Sequence, residues 1–403
     1  MLEIFAQIIF LTGSGAIFYA YAGYPLLVWL VSRVRPKNVK RGNFEPFVTI
    51  LITAYNEEKD IRGKLEDTLA IEYPREKLEI LVASDGSSDK TDAIVKEFAN
   101  RGIKLFRQEG RVGKTFTQNK AVEQSAGEII LFSDATTMYQ PDVLRRMLPN
   151  FADATVGCVA GKLIYVDESK SGVGQGAQSY WSYETFLKKS ESLACSLIGA
   201  SGCLYAVRKS AYRAMYAEAC SDFLICTKIY EQGLRSVYEP AAVCTEETNR
   251  HADQELRMRV RVISQTFTDL WRNRRMLNPF RSGFYAIQLL SHKLLRYAVP
   301  VFLILIFASS AALAFSSKIF AFIFALQIVF YAMAVTGWLL ERRGKGASIF
   351  SIPLYFVLTN LASLIAFYKF LRGQTYANWE PIREPQEKNP KIYGETGRFS
   401  NES

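Results

Sequence analysis

The residues able to do chemistry in this chain are a few acids and cations placed where apolar segments stop. Residues 80–92, ILVASDGSSDKTD, run an apolar segment directly into Asp85, Gly86, Ser87, Ser88 and Asp89. A carboxylate there can accept hydrogen bonds from N–H or hydroxyl donors. The same cluster also reads as a turn and helix N-cap, because Asp and Ser satisfy free amides at such places. VTILITAYNEE (48–58) ends in Thr53, Ala54, Tyr55 and Glu57, and EIILFSDATT (128–137) ends in Asp134 and Thr136. Arg111 and Lys114 lie in GRVGKT, which lacks the G-x-x-x-x-G-K-[ST] spacing of a P-loop, so they read either as anion binders or as surface charges. Asp222 in CSDFLICTKIYEQG (220–233) sits where it would cap a helix ending at Gly233. With two histidines in the chain, a histidine-built metal site is not expected.

Regular elements must bring these positions together. Residues 47–58 and 78–89 each begin as a β-branched apolar run and end in a polar turn, as buried parallel strands do. The segments 103–108 and 128–137 continue the series, with helical spacing between them and Gly102 as a helix stop. Alternation of strand and helix predicts a doubly wound α/β layer fold. In such sheets ligands bind beyond the carboxyl ends of strands, so TAYNEE, SDGSSD and SDATT would face one crevice.

The 49% hydrophobic content of this 403-residue chain is concentrated at its two ends. Residues 4–32 carry no charge, and 298–317, 319–340 and 347–368 are each uncharged and about one membrane thickness long. The first is too long, and lacks the basic start, for a cleaved signal peptide, so a retained anchor is expected. Four units follow: an anchor over 1–33, a polar domain over 34–280, an interfacial helix with further spans over 281–371, and a tail over 372–403. Arg33, Arg35, Lys37, Lys40 and Arg41 place the polar domain in the cytosol by the positive-inside rule. Arg342, Arg343 and Lys345 agree; Lys369 and Arg372 conflict with a fourth crossing. The net charge of +10 comes without a basic run interleaved with aromatics, so an anionic bilayer and an anionic nucleotide are the expected partners, and nucleic acid is not. The six cysteines form no C-x-x-C pair and read as reduced structural thiols.

VTILITAYNEE, ILVASDGSSDKT, GRVGKTFTQNKAV, EIILFSDATT and CSDFLICTKIYEQGLRSVYEPAA, in that order over about residues 46–270, resemble inverting family 2 glycosyltransferases with a GT-A (Rossmann-like) fold. The apolar flanks narrow the resemblance to the membrane-embedded branch of cellulose, hyaluronan and poly-N-acetylglucosamine synthases. SHKLLRYAVP and NWEPIRE are weaker points of likeness.

The resemblance implies that Thr53, Ala54, Tyr55 and Glu57 line a nucleotide site, that Asp85 bonds its base or ribose, and that Arg111 and Lys114 lie beside the diphosphate. A diphosphate leaving group needs positive charge where its own negative charge grows. SDATT occupies the place of the D-x-D metal motif, with Asp134 kept and Thr136 in place of the second acid; Mg2+ or Mn2+ is the implied cofactor. Asp222 is the implied general base, taking the acceptor hydroxyl's proton as it attacks opposite the departing nucleotide. Gly199, Ser201, Gly202 and Cys203 resemble the acceptor-side loop, and YWSYE (180–184) offers rings that stack on sugars or pack in a core. In place of Q-x-x-R-W the chain reads ELRMRVRVISQTF; Arg261 is the positional counterpart, touching pyrophosphate or belonging to a basic face at the membrane. SGVGQG (171–176) is expected to be a flexible cover, and His292 to lie on an interfacial helix.

The expected activity is transfer of GlcNAc or glucose from a UDP-sugar to a growing polysaccharide at the cell membrane, with inversion. The alternatives are single-sugar transfer to a polyprenyl phosphate or glycolipid, or a silent nucleotide-binding subunit. Four spans are few for a product channel, so self-association or a synthase complex is expected.

Overall fold

The computed structural model describes residues 1–166, 172–247, 251–343 and 348–376. Four strands carry the polar ends singled out above: β1 (Val48–Ala54), β2 (Leu78–Ser84), β3 (Ile103–Arg107) and β4 (Ile129–Asp134). All seven residues of β1 are buried. Its side chains alternate between two cores, Ile50 and Ile52 on one face and Leu51 on the other, as a strand covered on both sides requires. β1 pairs in parallel with β2 and β4, and β2 with β3, so the carboxyl ends of all four point the same way. The helices between them follow the predicted spacing: α2 (Ile61–Leu69), α3 (Thr91–Glu97) and α4 (Lys114–Gln124). Gly102 adopts the left-handed conformation expected of a stop, with φ +85°. The N-terminal helix, α1 (Leu2–Val34), precedes them all.

Four further strands, β5 (Met138–Tyr139), β6 (Val156–Val166), β7 (Tyr205–Arg208) and β8 (Arg235–Glu247), extend the sheet to the order β3-β2-β1-β4-β7-β6-β8-β5. β7 runs antiparallel to β4 and β6, so the sheet is mixed, with a parallel nucleotide-type half and an irregular second half. This half carries α5 (Gly172–Ala194) and α6 (Ser221–Glu231), and α7 (Ala252–Arg272) follows it.

Three apolar helices complete the described chain: α8 (Phe284–Leu313), α9 (Lys318–Arg342) and α10 (Ser348–Leu371). With α1 they are the four helices long and apolar enough to cross a bilayer. Two expectations are corrected. Residues 172–176 are the first turns of α5 and not a flexible cover; Ser171 lies outside the described residues. His292 is not on a separate interfacial helix: the chain runs on through a π-helical stretch, Leu289–Leu295, into the apolar part of α8, and His292 is buried. Lys345, NWEPIRE and the tail from 377 onward lie outside the described residues.

Candidate active site

The polar strand ends are stitched to one another by their own side chains. Asn56, in the left-handed region with φ +55°, follows β1. Its amide oxygen accepts from Ser88 N at 2.7 Å, and its own N–H donates to Ser87 Oγ at 3.0 Å. Asp89 accepts from the N–H of Thr91, the first residue of α3, at 3.0 Å. Asp85 does something else: its carboxylate accepts from the N–H groups of Val112 (3.0 Å) and Gly113 (3.0 Å) and from Thr117 Oγ1 (2.8 Å). Gly86, at φ +69°, lets that loop close, since a Cβ there would lie 2.6 Å from the carbonyl oxygen of Gly110. The acid expected to meet a base or ribose is therefore turned onto the loop, because buried amides nearby compete for its oxygens. Arg111, on the same loop, lies over the Tyr55 ring at 4.1 Å, and Thr53 Oγ1 accepts from Gln118. Thr53, Ala54 and Asp85 are buried behind the crevice.

Lys114, the first residue of α4, is delivered by this loop into ion-pair contact with Asp134 at the end of β4. Burial opposes the charge on Lys114, but Asp134 more than offsets it and holds the amine above its usual range. Next to Lys114, Thr115 Oγ1 donates to the carbonyl of Ala219 at 2.8 Å, which ties the loop to the segment entering α6. Asp222 stands in the first turn of α6, its Oδ1 accepting from Phe223 N and from the Cys220 thiol, each at 3.0 Å. Gly202 leaves it space: a Cβ there would come to 3.3 Å of Asp222 Oδ2. Arg261 on α7 feels both Asp134 and Asp222, which only partly offset the burial that lowers its pKa.

Lys114, Asp134, Thr136, Glu57, Asp222, Arg261 and the loop 199–203 line one cavity of about 880 Å3. Its floor is the carboxyl ends of β1 and β4, and it reaches Lys293 and Tyr297 on α8. Of the three acids expected to converge, Asp134 and Asp222 share this cavity, and Asp85 supports the loop that places Lys114. The Cys203 thiol packs 3.5 Å from that of Cys244, so that residue offers the cavity its main chain; all six cysteines are free and buried.

Sequence reasoning missed two acids. Glu246, near the end of β8, accepts from Thr136 Oγ1 at 3.1 Å, so a carboxylate from a distant strand stands beside the position where the second acid is missing. Burial, with Asp134 adding to it, pushes Glu246 up to about 7. Asp134 and Glu246 offer hard oxygen donors on one wall, the kind Mg2+ or Mn2+ takes from protein beside substrate phosphates, so these residues fit a divalent ion. Among the described residues there is no group of three His, Cys, Asp or Glu that could hold an ion. Asp269 on α7 is the second: it accepts from Cys220 N at 3.1 Å and from the Tyr216 hydroxyl, fixing the start of the helix that bears Asp222. Neither has a local signature, since each acts through a partner at least 49 residues away.

A parallel half-sheet with a polar crevice at its carboxyl ends, joined to a mixed half that delivers Asp222, is the GT-A architecture, and residues 49–215 match Glycosyl transferase family 2. Over 206 residues it is 31% identical to a poly-beta-1,6-N-acetyl-D-glucosamine synthase of Staphylococcus aureus (strain COL), covering 49% of each protein. The synthase of the same name from Staphylococcus epidermidis is 29% identical over 205 residues, again 49% of each. The chain thus spans about half the length of the curated relatives it matches. Among solved structures, the mannosyltransferase PcManGT from Pyrobaculum calidifontis in complex with GDP-Man and Mn2+ has a similar fold, with TM-score 0.71 and 23% identity over 93% of this chain and 100% of that one.

Proposed function

We propose that this chain is a membrane-embedded inverting hexosyltransferase that moves GlcNAc or glucose from a UDP-sugar to a growing glycan. The observation that carries the reading is the shared cavity: Asp222 enters it from one wall, and Lys114, Asp134 and Arg261 from the others. Lys114 and Arg261 would meet the diphosphate as its bond to the sugar breaks, where fixed positive charge lowers the barrier. Asp222 would take the proton of the acceptor hydroxyl on the opposite face, and one carboxylate is enough for inversion. Asp134 and Glu246 would hold a divalent ion, which supplies charge neutralisation at the phosphates. The relatives named as poly-N-acetylglucosamine synthases support the sugar and the polymer, and the Mn2+ held by the similar mannosyltransferase supports the ion. Glu246, a carboxylate beside Thr136, supports the transferase reading over a silent nucleotide-binding subunit. Basic residues after α1 support a cytoplasmic catalytic domain.

The test is a donor screen: purified protein in lipid nanodiscs with Mn2+ and radiolabelled UDP-GlcNAc, UDP-glucose and GDP-mannose, with products sized. Transfer from one UDP-sugar is expected, with Asp222→Asn reducing the rate about 10²–10⁴-fold while UDP binding persists. No transfer and no donor hydrolysis with any donor would sink the reading.

A further inference from the structure

The cavity has a second arm that donor chemistry does not use. Beyond the Gly199–Cys203 loop it is walled by α5 and the start of α8, where charges are buried at the edge of the apolar helices. Glu184, Lys188 and Glu191 follow one another on a single face of α5. Both carboxylates are engaged. Glu184 pairs with Arg296; His292 reaches Glu191 with Nδ1 at 2.7 Å and Glu184 with Nε2 at 3.3 Å; and the Tyr24 hydroxyl donates to Glu191.

Two ammonium groups remain on the cavity side. Lys188, 7% exposed, donates to Ser201 Oγ at 2.6 Å and lies 5.1 Å over the Trp181 ring. Lys293 lies 5.7 Å over the ring of Phe223, the neighbour of Asp222. Among the described residues neither has a carboxylate within ion-pair distance. Lys188 is buried and Lys293 half-buried, and Glu184, whose charge both feel, is already taken by Arg296 and His292; two ammonium groups with no ion-pair partner of their own beside a substrate cavity form a site for an anion. That anion is not the donor's diphosphate, whose cations Lys114 and Arg261 stand at the Asp134 wall.

Below this arm the same helix opens into hydrocarbon. Tyr297 lines the polar cavity, and Pro300, Ile304 and Phe307, spaced three and four residues apart on that face, line an apolar groove of about 330 Å3 with Tyr331 of α9 and Phe356 of α10. From Lys293 to Phe307 the rise is about 20 Å. A free neutral glycan matches neither the two ammonium groups nor the groove. A lipid with a phosphate at its head matches both.

We propose that this arm and groove seat the acceptor, and that the acceptor is a sugar carried on a lipid phosphate: the phosphate between Lys188 and Lys293, the chain along α8, and the sugar hydroxyl at Asp222. The proposal rests on the reading of Asp222 given above, but its test does not need turnover. The full chain in detergent is titrated with farnesyl phosphate, farnesol and inorganic phosphate, and binding is followed by native mass spectrometry. Farnesyl phosphate is expected to bind at least tenfold more tightly than either of the others. Lys188→Gln and Lys293→Gln should each weaken it by roughly tenfold or more, the loss of one charge-assisted hydrogen bond, with UDP binding retained as the control for folding. Ile304→Trp, which fills the groove, should weaken farnesyl phosphate and leave inorganic phosphate unchanged. Farnesol binding as tightly as farnesyl phosphate, inorganic phosphate doing so, or both lysine variants binding like the parent would each overturn the proposal. Lipid-phosphate binding without sugar transfer would leave it standing and count against the transferase reading alone; transfer without such binding would do the reverse.

Discussion

Asp222 is an acid with room to work, and a missing side chain provides that room. A methyl group on Gly202 would come to 3.3 Å of Oδ2, close enough to push the carboxylate off its position without touching the core. Gly202→Ala should therefore cut the transfer rate by about 10-fold or more, since small misplacements of reacting groups are expensive, while the melting midpoint stays within a degree or two of the parent, a margin set by roughly 0.5 kcal/mol for changes outside the core. Unchanged kinetics would mean that Asp222 has freedom to spare. Glu246 carries a separate prediction. Glu246→Gln keeps a hydrogen-bond acceptor for Thr136 but removes the second carboxylate, so Mn2+ affinity measured by electron paramagnetic resonance with UDP present should fall about 10–100-fold. Asp134→Asn should do at least as much. If Glu246→Gln binds Mn2+ as the parent does, the ion is held without β8.

At the scale of elements, α6 and α7 act as one device. Asp269 of α7 holds the amide of Cys220 at the start of α6, so the helix carrying Asp222 is anchored by a neighbour that never enters the cavity chemistry. Burial is the main cause that moves the Asp269 acid from 3.8 to about 8, with Asp222 adding to it and the Tyr216 and Cys220 hydrogen bonds opposing. A raised carboxyl pKa favours the protonated form in the fold, so its stabilising contribution is complete below about pH 4 and is lost as the pH rises through 8. Asp269→Asn, neutral throughout, should remove that part of the slope, and thermal midpoints measured across pH 5–9 should diverge in favour of the variant at the alkaline end. Parallel curves would show that Asp269 ionises freely. The contrast between the two halves of the sheet explains what the sequence could tell. β1 to β4 end in apolar runs cut by polar turns, a local pattern that fixes both the elements and the crevice. β7 has four residues and β5 two, and both are held by antiparallel pairing to distant strands, which leaves no periodicity to read. Asp134 and Asp222 were legible because they sit in ordered motifs. Glu246 and Asp269 were not, because their partners become neighbours only through the β5–β8 pairing and the packing of α7 on the start of α6. Lys188 was within reach, as the polar stripe Glu184, Lys188, Glu191 at helical spacing is visible in the chain, but it had no meaning until α8 supplied the opposite wall.

At the scale of the molecule, the packing of α10 bears on the charge conflict at the end of the apolar region. Its first part meets α7 where Tyr355 donates to Glu255 at 3.0 Å, its middle where Ala362 and Ala366 pack with Val260 and Ile263, and its last turn where Phe370 stacks on Phe267 at 5.7 Å. A helix that accompanies α7 of the catalytic domain along its whole length begins and ends on the side of that domain. The amide of Gln265 donates to the carbonyl of Tyr376 at 2.8 Å, which keeps the chain there past the helix end. α8 and α9 differ: Phe307 meets Phe324 at 5.0 Å and Ser310 accepts from Gln327, an antiparallel hairpin that turns near Ser316. Three crossings, by α1, α8 and α9, with α10 held against α7, would put Lys37, Arg343, Lys369 and Arg372 on one side, as the positive-inside rule asks. Because all six native cysteines are buried, single cysteines can report this directly. In intact cells treated with a membrane-impermeant maleimide, Ser316→Cys should be labelled, while Lys37→Cys and Arg372→Cys should react only after permeabilisation. Labelling of Arg372→Cys from outside would mean that α10 crosses.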